Sequence, residues 1–190
     1  MRDAELLVER PLGIEELTAL ATESERRTAE GFGSERRRRE YLMWRYMVRR
    51  RLGADVLIGY GPTGCPQLEN RKDYYIGVSH SDDLVAVVLS PRRCAVDVER
   101  LARDFPKVAR RYVSPAEEGL SDDPRLAAVL WCAKETLYKY SDAAGLDLLR
   151  DIRISRVDFA AGTVAGSVRG GSEVEMRMSE RDGNMIVWVG

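Results

Sequence analysis

Cys94-Ala95-Val96-Asp97-Val98-Glu99, followed further along by Trp131-Cys132-Ala133-Lys134-Glu135-Thr136-Leu137-Tyr138-Lys139, decides how this chain is read. The first stretch reads as a strand with carboxylates at i and i+2. Side chains alternate across a strand, so Asp97 and Glu99 share a face. The second reads as a helix with a carboxylate and an ammonium at i and i+4, so Glu135 and Lys139 share a face too. Three carboxylates and a lysine meeting at one point have the composition of a magnesium site that handles a phosphorylated ligand.

Each segment also has a plainer reading. An acidic pair on a strand is usually a solvated edge face, and Lys134, Glu135 and Lys139 alone are an ordinary charged helix face. Against that, the strand is otherwise small and apolar and follows the continuous apolar run Leu84 to Leu89. It therefore reads as central, and carboxylates there need a compensating cation. No histidine or cysteine cluster is available for zinc, so a hard divalent ion fits best.

The chain has 190 residues, is 44% hydrophobic and carries a formal net charge of −1. This suits one globular unit over 1–190, or two small lobes that share a core, with a join near Ser90 to Arg93. The lobes would cover approximately 1–91 and 92–190. Balanced charge argues against a disordered tail or a strongly basic nucleic-acid binder. No apolar run approaches the roughly twenty residues of a membrane helix. Met1-Arg2-Asp3-Ala4-Glu5 does not read as a signal peptide. Cys65, Cys94 and Cys132 lack metal-ligand spacing and read as free thiols in a reducing cytoplasm. Positive charge is carried by twenty-six arginines and only four lysines, two of which are Lys134 and Lys139.

Helices are expected over Glu15 to Leu20, from an N-cap at Ser34 to Gly53, and over Phe105 to Tyr112, Pro115 to Leu120 and Pro124 to Tyr140. Strands are expected at Val56 to Tyr60, Tyr74 to Val78, Leu84 to Leu89 and Cys94 to Glu99. A C-terminal antiparallel meander follows over Ile152–Phe159, Thr163–Val168, Val174–Met178 and Met185–Val189. The class is α+β. His80, the single histidine, lies at a strand exit in Val78-Ser79-His80-Ser81, and it reads equally as structural or as a binding group. Arg36 to Arg39, Arg45 and Arg49 to Arg51 read as a solvated helix face or as an anion-binding surface. Arg45 borders the apolar stripe and is the member expected to point toward a site.

Together, Val78-Ser79-His80-Ser81, Ala95-Val96-Asp97-Val98-Glu99 and Trp131 to Lys139 resemble the 4′-phosphopantetheinyl transferase superfamily. Their order and spacing resemble those of the surfactin-synthetase-activating type. Arg110-Arg111-Tyr112-Val113-Ser114-Pro115-Ala116-Glu117 is similar to a further family stretch. The resemblance implies two pseudo-symmetric lobes, each a small antiparallel sheet packed with a long helix, with the active site between them. It implies transfer of phosphopantetheine from coenzyme A to a serine of an acidic acyl or peptidyl carrier protein, with release of adenosine 3′,5′-bisphosphate.

By that resemblance, Asp97, Glu99 and Glu135 hold Mg²⁺, and Lys139 contacts the pyrophosphate and the leaving group. Ser79, His80 and Arg45 bind coenzyme A phosphates, and Glu135 is the usual candidate base. A monomer is expected, with no nucleic-acid or membrane partner. The chain departs from the family pattern at Ala95, where glycine is usual, and at Cys65, where lysine is common. The latter change leaves phosphate binding to be completed by Arg71 or Lys72. The first lobe is also expected to lack an edge strand. A non-catalytic relative that binds a carrier or nucleotide, and a nucleic-acid module built on the arginine helix, are the competing readings.

Overall fold

A computed structural model describes residues 3–190; Met1 and Arg2, which open the stretch read as no signal peptide, lie outside the described residues. The first half runs β1 (Glu5–Glu9), α1 (Ile14–Thr18), α2 (Glu23–Glu30), α3 (Glu35–Leu52), β2 (Ile58–Tyr60), β3 (Pro66–Leu68), β4 (Tyr75–His80) and β5 (Val85–Ser90). The second runs β6 (Ala95–Arg100), α4 (Phe105–Val108), a 3-10 turn (Ala109–Arg111), α5 (Pro115–Glu118), α6 (Leu126–Ser141), β7 (Ile152–Asp158), β8 (Thr163–Val168), β9 (Val174–Arg181) and β10 (Asn184–Val189). The class is α+β. A three-stranded sheet, β1-β5-β4, packs with α3, and a five-stranded sheet, β6-β10-β9-β8-β7, packs with α6. Every pairing is antiparallel. The two halves are alike in kind and differ in strand number.

Local chemistry sets the long elements. Ser34 Oγ accepts from Arg37 N at the start of α3, and Gly53, at φ +119°, ends it. Leu42, Met43 and Met47 form its buried stripe. In the meander, Asp182 and Gly183 both have positive φ, the signature of a tight two-residue hairpin joining β9 to β10.

The first sheet is buried on both faces. Val85, Val87 and Leu89 join the core under α3, while Leu84, Ala86 and Val88 join a second core with Val96, Val98 and Ile186 of the other half. Two-sided burial explains the unbroken apolar run of β5. It also corrects the expectation of a missing edge strand. β1 pairs along β5 from Glu5↔Leu89 to Glu9↔Val85, with Leu7 against the α3 core and Leu6 and Val8 against the shared one. Helix α2 also lies outside the expected elements. Its overall polarity hides it, although Thr22 and Glu25 form a reciprocal capping box at its start.

A second correction concerns β6. It lies at the hydrogen-bonded edge of its sheet rather than in the middle. Its free edge is nevertheless covered by β4 and α6: Val98 N donates to Ser79 Oγ of β4 (3.3 Å), and Val96 O accepts from Lys139 Nζ of α6 (3.2 Å). The strand is therefore buried for a reason other than sheet centrality.

Gly77 permits this approach. A Cβ there would lie 2.9 Å from Ala95 Cα and 2.8 Å from Val88 Cγ1. Gly77→Val is expected to destabilise the protein by about 1–3 kcal/mol by forcing the halves apart. Urea unfolding checks this, with Gly13→Ala as control, because a Cβ at Gly13 meets nothing within 4 Å.

Candidate active site

The seam between β4 and β6, closed from one side by α6, brings predicted residues together. On β4, Ser79 faces the seam, and its Oγ donates to Asp97 Oδ1 (3.0 Å). On α6, Lys139 Nζ donates to the same oxygen (2.7 Å), to Ser79 Oγ (3.2 Å) and to Val96 O. Asp97 is only 5% exposed, and its Oδ2 is buried without a hydrogen bond. The adjacent buried Cys132 thiol donates to Met185 O (3.8 Å). Burial together with the Asp97 charge pushes the Glu135 carboxyl above its ordinary range; Glu99 adds to this, while Lys139 and Arg103 oppose it.

Glu99, two residues beyond Asp97, presents Oε1 to Arg103 Nη1 (2.7 Å) and Trp131 Nε1 (3.0 Å). Two of the three carboxylates thus already hold internal cations. No group of three or more His, Cys, Asp or Glu among the described residues is arranged to hold a metal ion. The donor chemistry still suits a hard cation: the candidate ligand atoms are all carboxylate oxygens, Asp97 Oδ2 is buried and unpartnered, and burial with the Asp97 and Glu99 charges disfavours ionised Glu135 despite Lys139 and Arg103.

His80 and Arg45 do not reach this centre. Neighbours on a strand point to opposite faces, so Ser79 turns to Asp97 while His80, 42% exposed, lies 3.7 Å from Glu40 Oε1 on α3. Arg45, 2% exposed, stacks on Tyr41 and Trp44, pairs with Glu25 (3.3 Å) and bonds Tyr60 Oη. Its acidic partner lies on α2, the helix hidden by its polarity. Lys134, inside the same motif as Lys139, is fully buried against Glu117 (2.9 Å) and Leu148 O (3.0 Å). Arg103 sits in the turn after β6 and belongs to no motif that marks it in the sequence.

A cavity of about 510 Å³ runs from the Thr63–Leu68 segment along β4 and the start of β6 to Lys139 and Tyr140. That size suits a small-molecule ligand. Cys65 lines it, its Sγ donating to Asp142 Oδ1 (3.1 Å). Lys72 and Arg93 line it as well, whereas Arg71 is spent in a bidentate pair with Asp55.

Glu135→Gln is expected to raise the melting temperature of chelated protein by about 2–4 °C. A raised folded-state pKa means that the carboxylate costs stability above that pKa. The gain should therefore be full at pH 7.5 and vanish as pH falls below the ordinary glutamate value of 4.5. Thermal scans against pH check it.

A lysine-neutralised aspartate beside a glutamate whose carboxyl is raised above its ordinary range has the chemistry of an anion-handling centre. Residues 93–177 match the model for the 4′-phosphopantetheinyl transferase superfamily. No curated protein matches the chain. Among the described residues, no helix is long and apolar enough to cross a membrane.

Proposed function

We propose that this protein is an Mg²⁺-dependent 4′-phosphopantetheinyl transferase acting on coenzyme A and the serine of an acidic carrier protein, as a cytoplasmic monomer of the surfactin-synthetase-activating type. One observation carries the reading: Lys139 ends a ligand-sized cavity while bonded to Asp97, whose second oxygen is buried and free, beside a carboxyl held high in pKa.

Asp97, Glu135 and Glu99 would hold the ion, Glu99 after leaving Arg103. When bound, it supplies positive charge to the pyrophosphate oxygens. The residues themselves do the rest. The cavity positions coenzyme A with its pyrophosphate at Lys139. Glu135 is the candidate base for the proton of the carrier serine, directly or through one water. The serine oxygen forms a bond to the pantetheine phosphorus as the bridging P–O bond breaks. Lys139 stabilises the charge that develops on the departing adenosine 3′,5′-bisphosphate. Lys72 and Arg93 line the same cavity as Cys65 and supply the positive charge for a nucleotide phosphate that a thiol does not.

The arginine face of α3 is less basic than its sequence, because Arg36 pairs with Glu40 and Asp82, and Arg39 with Glu35. Carrier contact there is part of the proposal. Charge reversal at Arg36 to Arg39 should raise KM for carrier and leave that for coenzyme A unchanged.

Chromatography of the nucleotide products tests the reaction. Adenosine 3′,5′-bisphosphate should appear only when coenzyme A, an apo carrier and a divalent ion are all present. Its absence across several carriers, with coenzyme A still bound, would instead make the chain a non-catalytic relative.

A further inference from the structure

We propose that Arg103 is a resident counter-ion of Glu99 that sets how tightly the acidic centre binds a divalent cation. This rests on the reading of Asp97, Glu99 and Glu135 as cation ligands. Arg103 follows Glu99 by four residues, in a turn pinned by Arg103 N to Arg100 O (3.1 Å) and Leu101 N to Gly183 O (2.9 Å). Its Nη1 holds Glu99 Oε1 at 2.7 Å, and its guanidinium stacks 4.4 Å from the Trp131 ring and 5.4 Å from Phe105. Stacking pre-orders the guanidinium, so the pair loses less entropy than a free surface arginine would. Trp131 Nε1 donates to the same oxygen. The carboxylates of β6 are thus each neutralised from within, Asp97 by Lys139 and Glu99 by Arg103.

The two cations differ in position. Lys139 lines the ligand cavity, and Arg103 does not. Arg103 instead contacts Glu99, Trp131 and Phe105, and it acts through Glu99, as a positioning residue. A divalent ion that takes Glu99 must displace it. Arg103 in this way holds an otherwise repulsive acidic cluster together and lowers its affinity for the ion. Trp131, bonded to Glu99 and stacked on Arg103, reports the exchange.

The test counts free Mn²⁺ by electron paramagnetic resonance during titration of the full chain, without coenzyme A. The proteins are wild type, Arg103→Gln and Arg103→Lys. Arg103→Gln should bind about 2–5-fold more tightly, the size expected for a partly exposed pair. Arg103→Lys, which keeps the charge, should stay near wild type. Mg²⁺ should change the tryptophan emission of wild type, and Trp131→Phe should remove that change. A folded Arg103→Gln that binds Mn²⁺ equally or more weakly would overturn the proposal, as would equal tightening in both variants. A wild type that binds no Mn²⁺ would overturn the cation reading itself, so the two failures are distinguishable.

Discussion

Lys134→Met is expected to destabilise the protein by about 3–5 kcal/mol, a large share of the stability of a domain of this size. Both members of the pair are inside: side-chain exposure is 0% for Lys134 and 1% for Glu117. Glu117 is a hub. Its Oε1 accepts from Ile154 N (2.8 Å) at the start of the meander, and its Oε2 accepts from Ser114 N, Ser114 Oγ and Lys134 Nζ. Removing the ammonium leaves a buried carboxylate without its counter-ion and leaves Leu148 O without its donor.

Burial pushes Glu117 up, but the hydrogen bonds from Ile154, Ser114 and Lys134 outweigh it and hold the carboxyl below its ordinary 4.5. Its stabilising contribution is therefore present at neutral pH and lost as pH falls through the depressed value. Adding Glu117→Gln to Lys134→Met should recover part of the loss, because an amide oxygen still accepts from Ile154 N without bearing charge. Urea midpoints decide: a loss below about 1 kcal/mol in the single variant would mean that the pair is not the anchor of α6.

Lys139→Met is expected to lower the transfer rate about 10²–10³-fold, the usual cost of deleting one charge-stabilising donor. Lys139 is one-third exposed, its stem is kept by methionine, and its partners are Asp97, Ser79 and Val96 O. The fold should lose far less than in the Lys134 variant. Rates measured alongside melting curves separate the roles of two lysines five residues apart on one helix. Equal damage to stability by both variants would contradict the division.

The legible parts of this molecule are those governed by periodicity. The i, i+2 spacing puts Asp97 and Glu99 on one strand, the i, i+4 spacing puts Glu135 and Lys139 on one helix, and an apolar stripe locates α3. What is not legible depends on contacts between distant segments. Leu6-Leu7-Val8 lacks alternation because both faces of its sheet are covered, so periodicity does not mark β1 as a strand. The stripe beside Arg45 points toward a site, but its buried partner Glu25 lies on a polar helix marked only by its cap. Ser79 and His80 look like one unit in sequence and are divided by the strand's own alternation. Arg103 is one arginine among twenty-six until the fold sets it on Trp131 and Glu99.

The most direct measurement is the intact mass of an apo acyl carrier protein after incubation with this protein, coenzyme A and Mg²⁺, beside Glu135→Gln. The account predicts a gain of roughly 340 Da on the carrier, lost on chelation and lost in the Glu135→Gln protein even though that variant melts higher. A carrier whose mass is unchanged with several partners, or a gain that persists in Glu135→Gln or in chelator, would contradict it.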